Sequence, residues 1–127
     1  MAIKGNGTNQ RNAKFTMNIV NKDIRTEVIK RTLKIHENLV TTTPVDTSWA
    51  KNNWIPSIAI PFSGTVGTPE NVSGAASGAG AVSLLTWKLQ TPAYIVNNVN
   101  YIEKLNEGSS TQAPSGFIEK AIQGALI

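Results

Sequence analysis

Among residues whose type could do chemistry the chain has a single histidine, His36, and no cysteine to act as nucleophile or thiolate ligand. An imidazole can serve as general base or metal ligand. One helical turn away on either side stand Thr32, Leu33, Leu39 and Val40, and no further nitrogen, sulfur or carboxylate is spaced to complete a zinc site. His36 is therefore expected to be a packed or interface residue. Asp46 precedes two hydroxyls in Thr-Pro-Val-Asp-Thr-Ser-Trp, but nucleophilic chemistry needs a base nearby and none is close in sequence. Capping suits it better, with the carboxylate accepting backbone N–H groups of residues 48 and 49 after Pro44. The run from Gly74 to Gly80 lacks the Gly-Lys-Ser/Thr of a phosphate loop, and Ser83 stands where a dinucleotide fingerprint requires glycine. Glu103 and Glu107 are four apart with Lys104 between, and nothing apolar surrounds them to raise a carboxyl pKa. Trp49, Trp54, Trp87, Tyr94 and Tyr101 could stack bases, but no RNA-binding signature accompanies them, so they are expected as core and interface anchors. No catalytic, cofactor-binding or metal-binding residue emerges. The chain is expected to be non-enzymatic and to carry no cofactor.

The elements that position these residues are unevenly marked. Residues 1–13 show no periodicity and are expected as an extended polar arm, with a single domain over 14–127. Lys14 to Val20 alternates weakly, as a strand would, or leads straight into the helix that follows. From Asn21, a plausible N-cap, to about Thr42 there is no glycine or proline. At about 100° per residue, Ile24, Val28, Ile35 and Leu39 form one stripe, and Ile29, Leu33, His36 and Val40 a second beside it. The resulting arc is wider than the ~100° of a one-sided helix, so two elements of the chain or a neighbouring subunit must cover it. Pro44 ends the helix. A short strand is expected over 54–61, at an edge because Pro56 cannot donate to a ladder. Residues 61–80 are expected as a long flexible loop. A short helix over 81–89, a strand over 93–99, two helical turns ending at Gly108, and a final helix over 115–127 facing inward through Ile118, Ile122 and Ala125 complete the pattern.

Composition narrows the class. The 127 residues suit one domain with a modest core. Only 16% are charged, against the ~25% usual for a soluble domain, so much of the surface must be neutral, as in a protein packed against others. No apolar run approaches the ~20 residues that span a bilayer. The polar beginning has no apolar stretch of a signal peptide, so synthesis and use in a cytoplasm, or in something assembled there, are expected. The net charge of +4 is uneven: residues 1–54 hold nine Lys/Arg against four Asp/Glu, and residues 55–127 three against four. A small basic nucleic-acid-binding protein is thus an alternative reading.

Two segments together point further. Thr43-Pro44-Val45-Asp46-Thr47-Ser48-Trp49-Ala50-Lys51-Asn52-Asn53-Trp54, following a long amphipathic helix, resembles the signature TPVDTG-x-[AL]-R-x-[NS]-W of tail-completion (neck) proteins of tailed bacteriophages. Residues 94–116 are similar to that family's second signature. It has a strand ending in Asn97-Asn98, then Tyr101, a helix end from Lys104-Leu105 to Gly108 after the acidic Glu103, and Ser110-x-Gln112-Ala113-Pro114-x-Gly116 opening the last helix. Ser48 stands where the family usually has Gly, Lys51 where Arg is usual, and Asn100 replaces a frequent Pro. The resemblance implies an α+β fold: a small curved antiparallel sheet packed against a long N-terminal helix and a C-terminal helix. It also implies a virion protein of the neck, akin to a tail terminator. Such a protein forms a homo-oligomeric ring, commonly of six copies, that contacts head connector (adaptor) proteins and the tail tube protein. DNA would pass through the lumen without sequence-specific binding, and no membrane is involved. The residues it marks for assembly are Thr43, Pro44, Val45, Asp46, Thr47, Trp49, Trp54, Asn98, Tyr101, Leu105, Gly108, Gln112 and Pro114.

Overall fold

The computed structural model describes residues 7–45, 48–110 and 113–126, with side chains from residue 21 onward. The order of elements is α1 (Gly7–Thr42), β1 (Ile55–Ile58), α2 (Ala75–Ser83), β2 (Ala93–Val96), α3 (Ile102–Asn106) and α4 (Phe117–Leu126). Single 3-10 turns at Lys51–Asn53 and Leu84–Thr86 lead into β1 and extend α2. The fold is α+β, with β1 and β2 pairing antiparallel, Ile55 opposite Val96 and Ile58 opposite Ala93.

The long helix starts earlier than its periodicity suggests. Helical backbone replaces the expected arm over residues 7–13 and the N-cap at Asn21, and residues 14–20 lead straight into the helix, the second of their two readings; residues 1–6 of the arm lie outside the described residues. No proline interrupts residues 7–42, and once a helix is nucleated each added residue costs little. Its end follows the expected logic. Pro44 disfavours helix at Thr43, and threonine hydroxyls take over the last carbonyls: Thr42 Oγ1 donates to Asn38 O at 2.6 Å and Thr43 Oγ1 to Leu39 O at 2.5 Å.

The wide apolar arc of α1 is covered largely by the chain itself. On one flank α4 runs antiparallel to it, with Asn38 Nδ2 donating to Ala121 O and Arg31 Nη1 to Leu126 O. On the other, Arg25 donates to Trp87 O at 2.6 Å and Leu85 O at 2.7 Å. Ile29 of the second stripe and Leu39 of the first are buried, while Ile24 of the first stays 47% exposed. The face of α4 differs by one position from expectation: Phe117, Ala121 and Ala125 are buried, and Ile122 points outward. Two small alanines let α4 approach α1 closely.

The span 61–80 is not one loop. Its last six residues belong to α2, which also displaces the helix expected at 81–89 toward the N-terminus. The Gly/Ala-rich sequence serves contact rather than freedom: a Cβ on Gly80 would stand 2.6 Å from Pro56 O, so only glycine lets α2 lie on β1. The earlier part is tied down, with Asn98 Nδ2 donating to Phe62 O and Gly64 O.

Candidate assembly site

The two signature segments, remote in sequence, meet in space. Ala50 of the first packs with Val99, Leu105, Ala113 and Phe117 in one buried cluster, flanked by Trp49, Tyr101, Ile102 and Ile118. The rings of Trp49 and Tyr101 lie 6.0 Å apart at a tilt of 54°, a favourable aromatic geometry. Asn97 Nδ2 donates across the gap to Ala50 O at 2.8 Å. A second cluster joins Leu39, Trp54 and Ala121, and so ties α1, the sheet and α4 together.

The marked residues fall into three groups. Thr43, Pro44, Trp54 and Leu105 are buried and hold the core. Trp49, Asn98, Tyr101 and Gly108 shape connections: Trp49 Nε1 donates to Val66 O at 3.1 Å, and Gly108 at φ 96° closes α3. Val45 and Pro114 face outward, Val45 47% exposed. Asp46, Thr47 and Gln112 lie outside the described residues, and so does the capping expected of Asp46.

Ser48, the departure from the signature's glycine, adopts φ 58°, in the left-handed region that favours glycine. A non-glycine residue there costs about 1–2 kcal/mol, partly offset by the larger chain entropy that glycine loses on folding. Ser48→Gly is thus expected to raise stability by about 0.5–1 kcal/mol in denaturant titration. A loss would contradict this account of the turn.

Sequence reasoning passed over three buried or bonding polar residues. Asn53, 2% exposed, accepts Val66 N–H on Oδ1 at 2.7 Å and donates from Nδ2 to Trp49 O and Val66 O. Asn106 accepts Ile118 N–H on Oδ1 at 2.9 Å, so that the last residue of α3 caps α4. Ser77, 5% exposed, donates to Trp54 O at 2.7 Å. All three were legible only as polar residues.

Ser77 also lies 2.8 Å from His36 Nε2, the spacing of a nucleophile and its base. The third corner decides the roles: His36 Nε2 is 3.1 Å from Trp54 O as well. A carbonyl can only accept, so its contact with Nε2 calls for a proton on that nitrogen, and in that tautomer the Ser77 hydroxyl has no base and donates to the same carbonyl. The triangle holds the carbonyl that opens β1; it does not activate Ser77. Burial pulls the His36 pKa below its ordinary value, while the Trp54 carbonyl acts in the opposite direction. With the folded pKa depressed, the unfolded chain binds the extra proton first. Stability is therefore complete above about pH 6.5 and declines as pH falls through that value. Urea midpoints at pH 7.5 and 5.5 should differ less in His36→Gln than in the parent chain.

Among the described residues no cluster of His, Asp and Glu could hold a metal ion, and no helix is long and apolar enough to cross a membrane. A shallow groove of about 750 Å³ runs beside α1 and the end of α4, floored by Ile29, Leu33 and Ala125 and rimmed by charges of both signs. Comparison with family models, with curated proteins and with solved structures gave no match.

Proposed function

We propose that this chain is a structural subunit of the neck of a tailed bacteriophage. In this reading it is a virion protein assembled in the host cytoplasm. A ring of copies, six favoured, completes the tail and joins it to the head connector, and DNA passes through without sequence-specific contact. One observation carries the reading. The two segments that resemble the neck-protein signatures pack into a single cluster, with left-handed backbone at Ser48, Gly108 and Gly116, the three places where the signatures have glycine. Val82 and Leu85, a turn apart at the end of α2, are 66% and 55% exposed, which supports a surface made for protein contact. Among the basic residues of α1, Arg25 is turned to backbone carbonyls and Arg31 and Lys34 are paired with Glu27 and Glu37. That arrangement engages three basic side chains of α1 with groups of the chain itself, which supports the neck reading over a nucleic-acid-binding one.

Light scattering on the purified chain, alone and mixed with the connector and tail-tube proteins of its phage, tests the proposal. A closed multi-subunit particle is expected in at least the mixture. A monomer in every mixture overturns it, and salt-dependent binding of the isolated chain to duplex DNA at physiological ionic strength would favour the alternative.

A further inference from the structure

The two-stranded sheet is closed along one edge and open along the other. Ala59 N–H donates to Pro92 O at 2.8 Å. Continuing that register, the ladder bonds run through Ser57–Tyr94 and Ile55–Val96, and Pro56, which has no N–H, falls at a position pointing away from β2. On that outer side of β1 proline offers no donor, Ile58 O already accepts Ile60 N–H at 2.9 Å, and α2 lies against Pro56 through Gly80. By the same alternation Ala93 and Ile95 turn their N–H and C=O groups outward from β2. No hydrogen bond among the described residues reaches those four groups, and β1 is the element that packs along β2.

We propose that a second copy of the chain occupies this edge, its β2 pairing antiparallel with β2 about Tyr94, so that Ala93 of each copy exchanges hydrogen bonds with Ile95 of the other. Strand edges that remain in water are usually blunted by lysine, proline or a bulge. Here proline guards β1, whereas no charged residue occurs between Lys88 and Glu103. A chain of net charge +4 meets a copy of itself most easily where neither brings charge, and this stretch provides that place. Among the described residues the copy offers the same single open edge, so the contact is β2 to β2 and twofold. Pairing turns a two-stranded sheet, marginal by itself, into a four-stranded one. A twofold contact closes after two copies and cannot generate a polar ring, so this pairing is independent of the neck reading and leaves the ring contact to another surface.

Sedimentation equilibrium over a range of concentrations, with amide exchange at a high and a low one, tests the pairing. A dimer is expected at high concentration. The Ala93 and Ile95 amides should then exchange at least about tenfold more slowly than in the dilute chain, while Tyr94 and Val96, bonded to β1, stay protected in both. Ala93 is exposed, and both Ala93→Pro and the milder Ala93→Lys should shift the chain to monomer with an unchanged circular dichroism spectrum. A monomer at every concentration, which is also the outcome if a strand of another protein uses the edge, overturns the proposal. So does a dimer whose mass survives Ala93→Lys and whose Ala93 and Ile95 amides exchange equally at both concentrations. A larger ring with those amides unprotected would uphold the neck reading and overturn this one.

Discussion

Trp54→Ala is expected to cost about 3–5 kcal/mol of stability, the range for emptying a well-packed aromatic site. The indole is 5% exposed and packs with Leu39 and Ala121, flanked by Ile35, Val40, Ile95, Ile102 and Ile118. Those residues come from α1, β2, α3 and α4, so the cavity would open at the junction of nearly every element. Trp54 Nε1 also donates at 2.7 Å to Thr43 Oγ1, which in turn donates to Leu39 O. Truncation therefore loosens the end of α1 as well as the core. Trp54→Phe retains most of the volume and loses that hydrogen bond, so about 1–2 kcal/mol is expected for it. Chemical denaturation of both variants checks the pair. A loss below about 1 kcal/mol for the alanine variant would mean that the site collapses freely and is not the junction described here.

Asn53→Ala should follow at about 2–3 kcal/mol. Its side chain, 2% exposed, makes three hydrogen bonds, and its removal takes from the half-buried Val66 N–H its acceptor. The cost comes from the groups left behind, since water cannot readily replace the amide there. Asn98→Ala provides the contrast. It also removes two hydrogen bonds, to Phe62 O and Gly64 O, but the site is exposed and water substitutes, so about 0.5–1 kcal/mol is expected. Amide exchange at Val66 should rise in the first variant and stay near its original rate in the second. Equal losses for the two would remove the distinction between a buried and a surface staple.

Much of the fold was legible from residues 21–58 and 93–126. The absence of glycine and proline over residues 21–42, the stop at Pro44, the proline on an edge strand and the glycine after α3 each express a local backbone preference that needs no knowledge of distant partners. The apolar arc of α1 was visible too, but whether two elements of the chain or a neighbouring subunit would cover it was not. What failed was judgement of small and neutral residues. Gly78 and Gly80 read as freedom, yet α2 uses them, and Gly80 is required by the nearness of Pro56. Ile122 was placed inside and Phe117 was not, because a helix as short as α4 shows too few positions to fix its phase.

The candidate site divides in the same way. In the sequence, a resemblance marked the two signature segments, and local backbone preference set the ends of α1 and α3. Only the tertiary structure decided that the segments form one cluster, that Ser48 takes a glycine's conformation and that Asn53, Asn97, Asn98 and Asn106 are staples. In sequence these asparagines looked like neutral surface. An amide's role depends on which backbone groups fold opposite it, and each of these amides has at least one such group 12 to 47 residues away along the chain. The open edge of β2 belongs to the same class, since strand pairing, and therefore which side is left unpaired, exists only once the chain has folded.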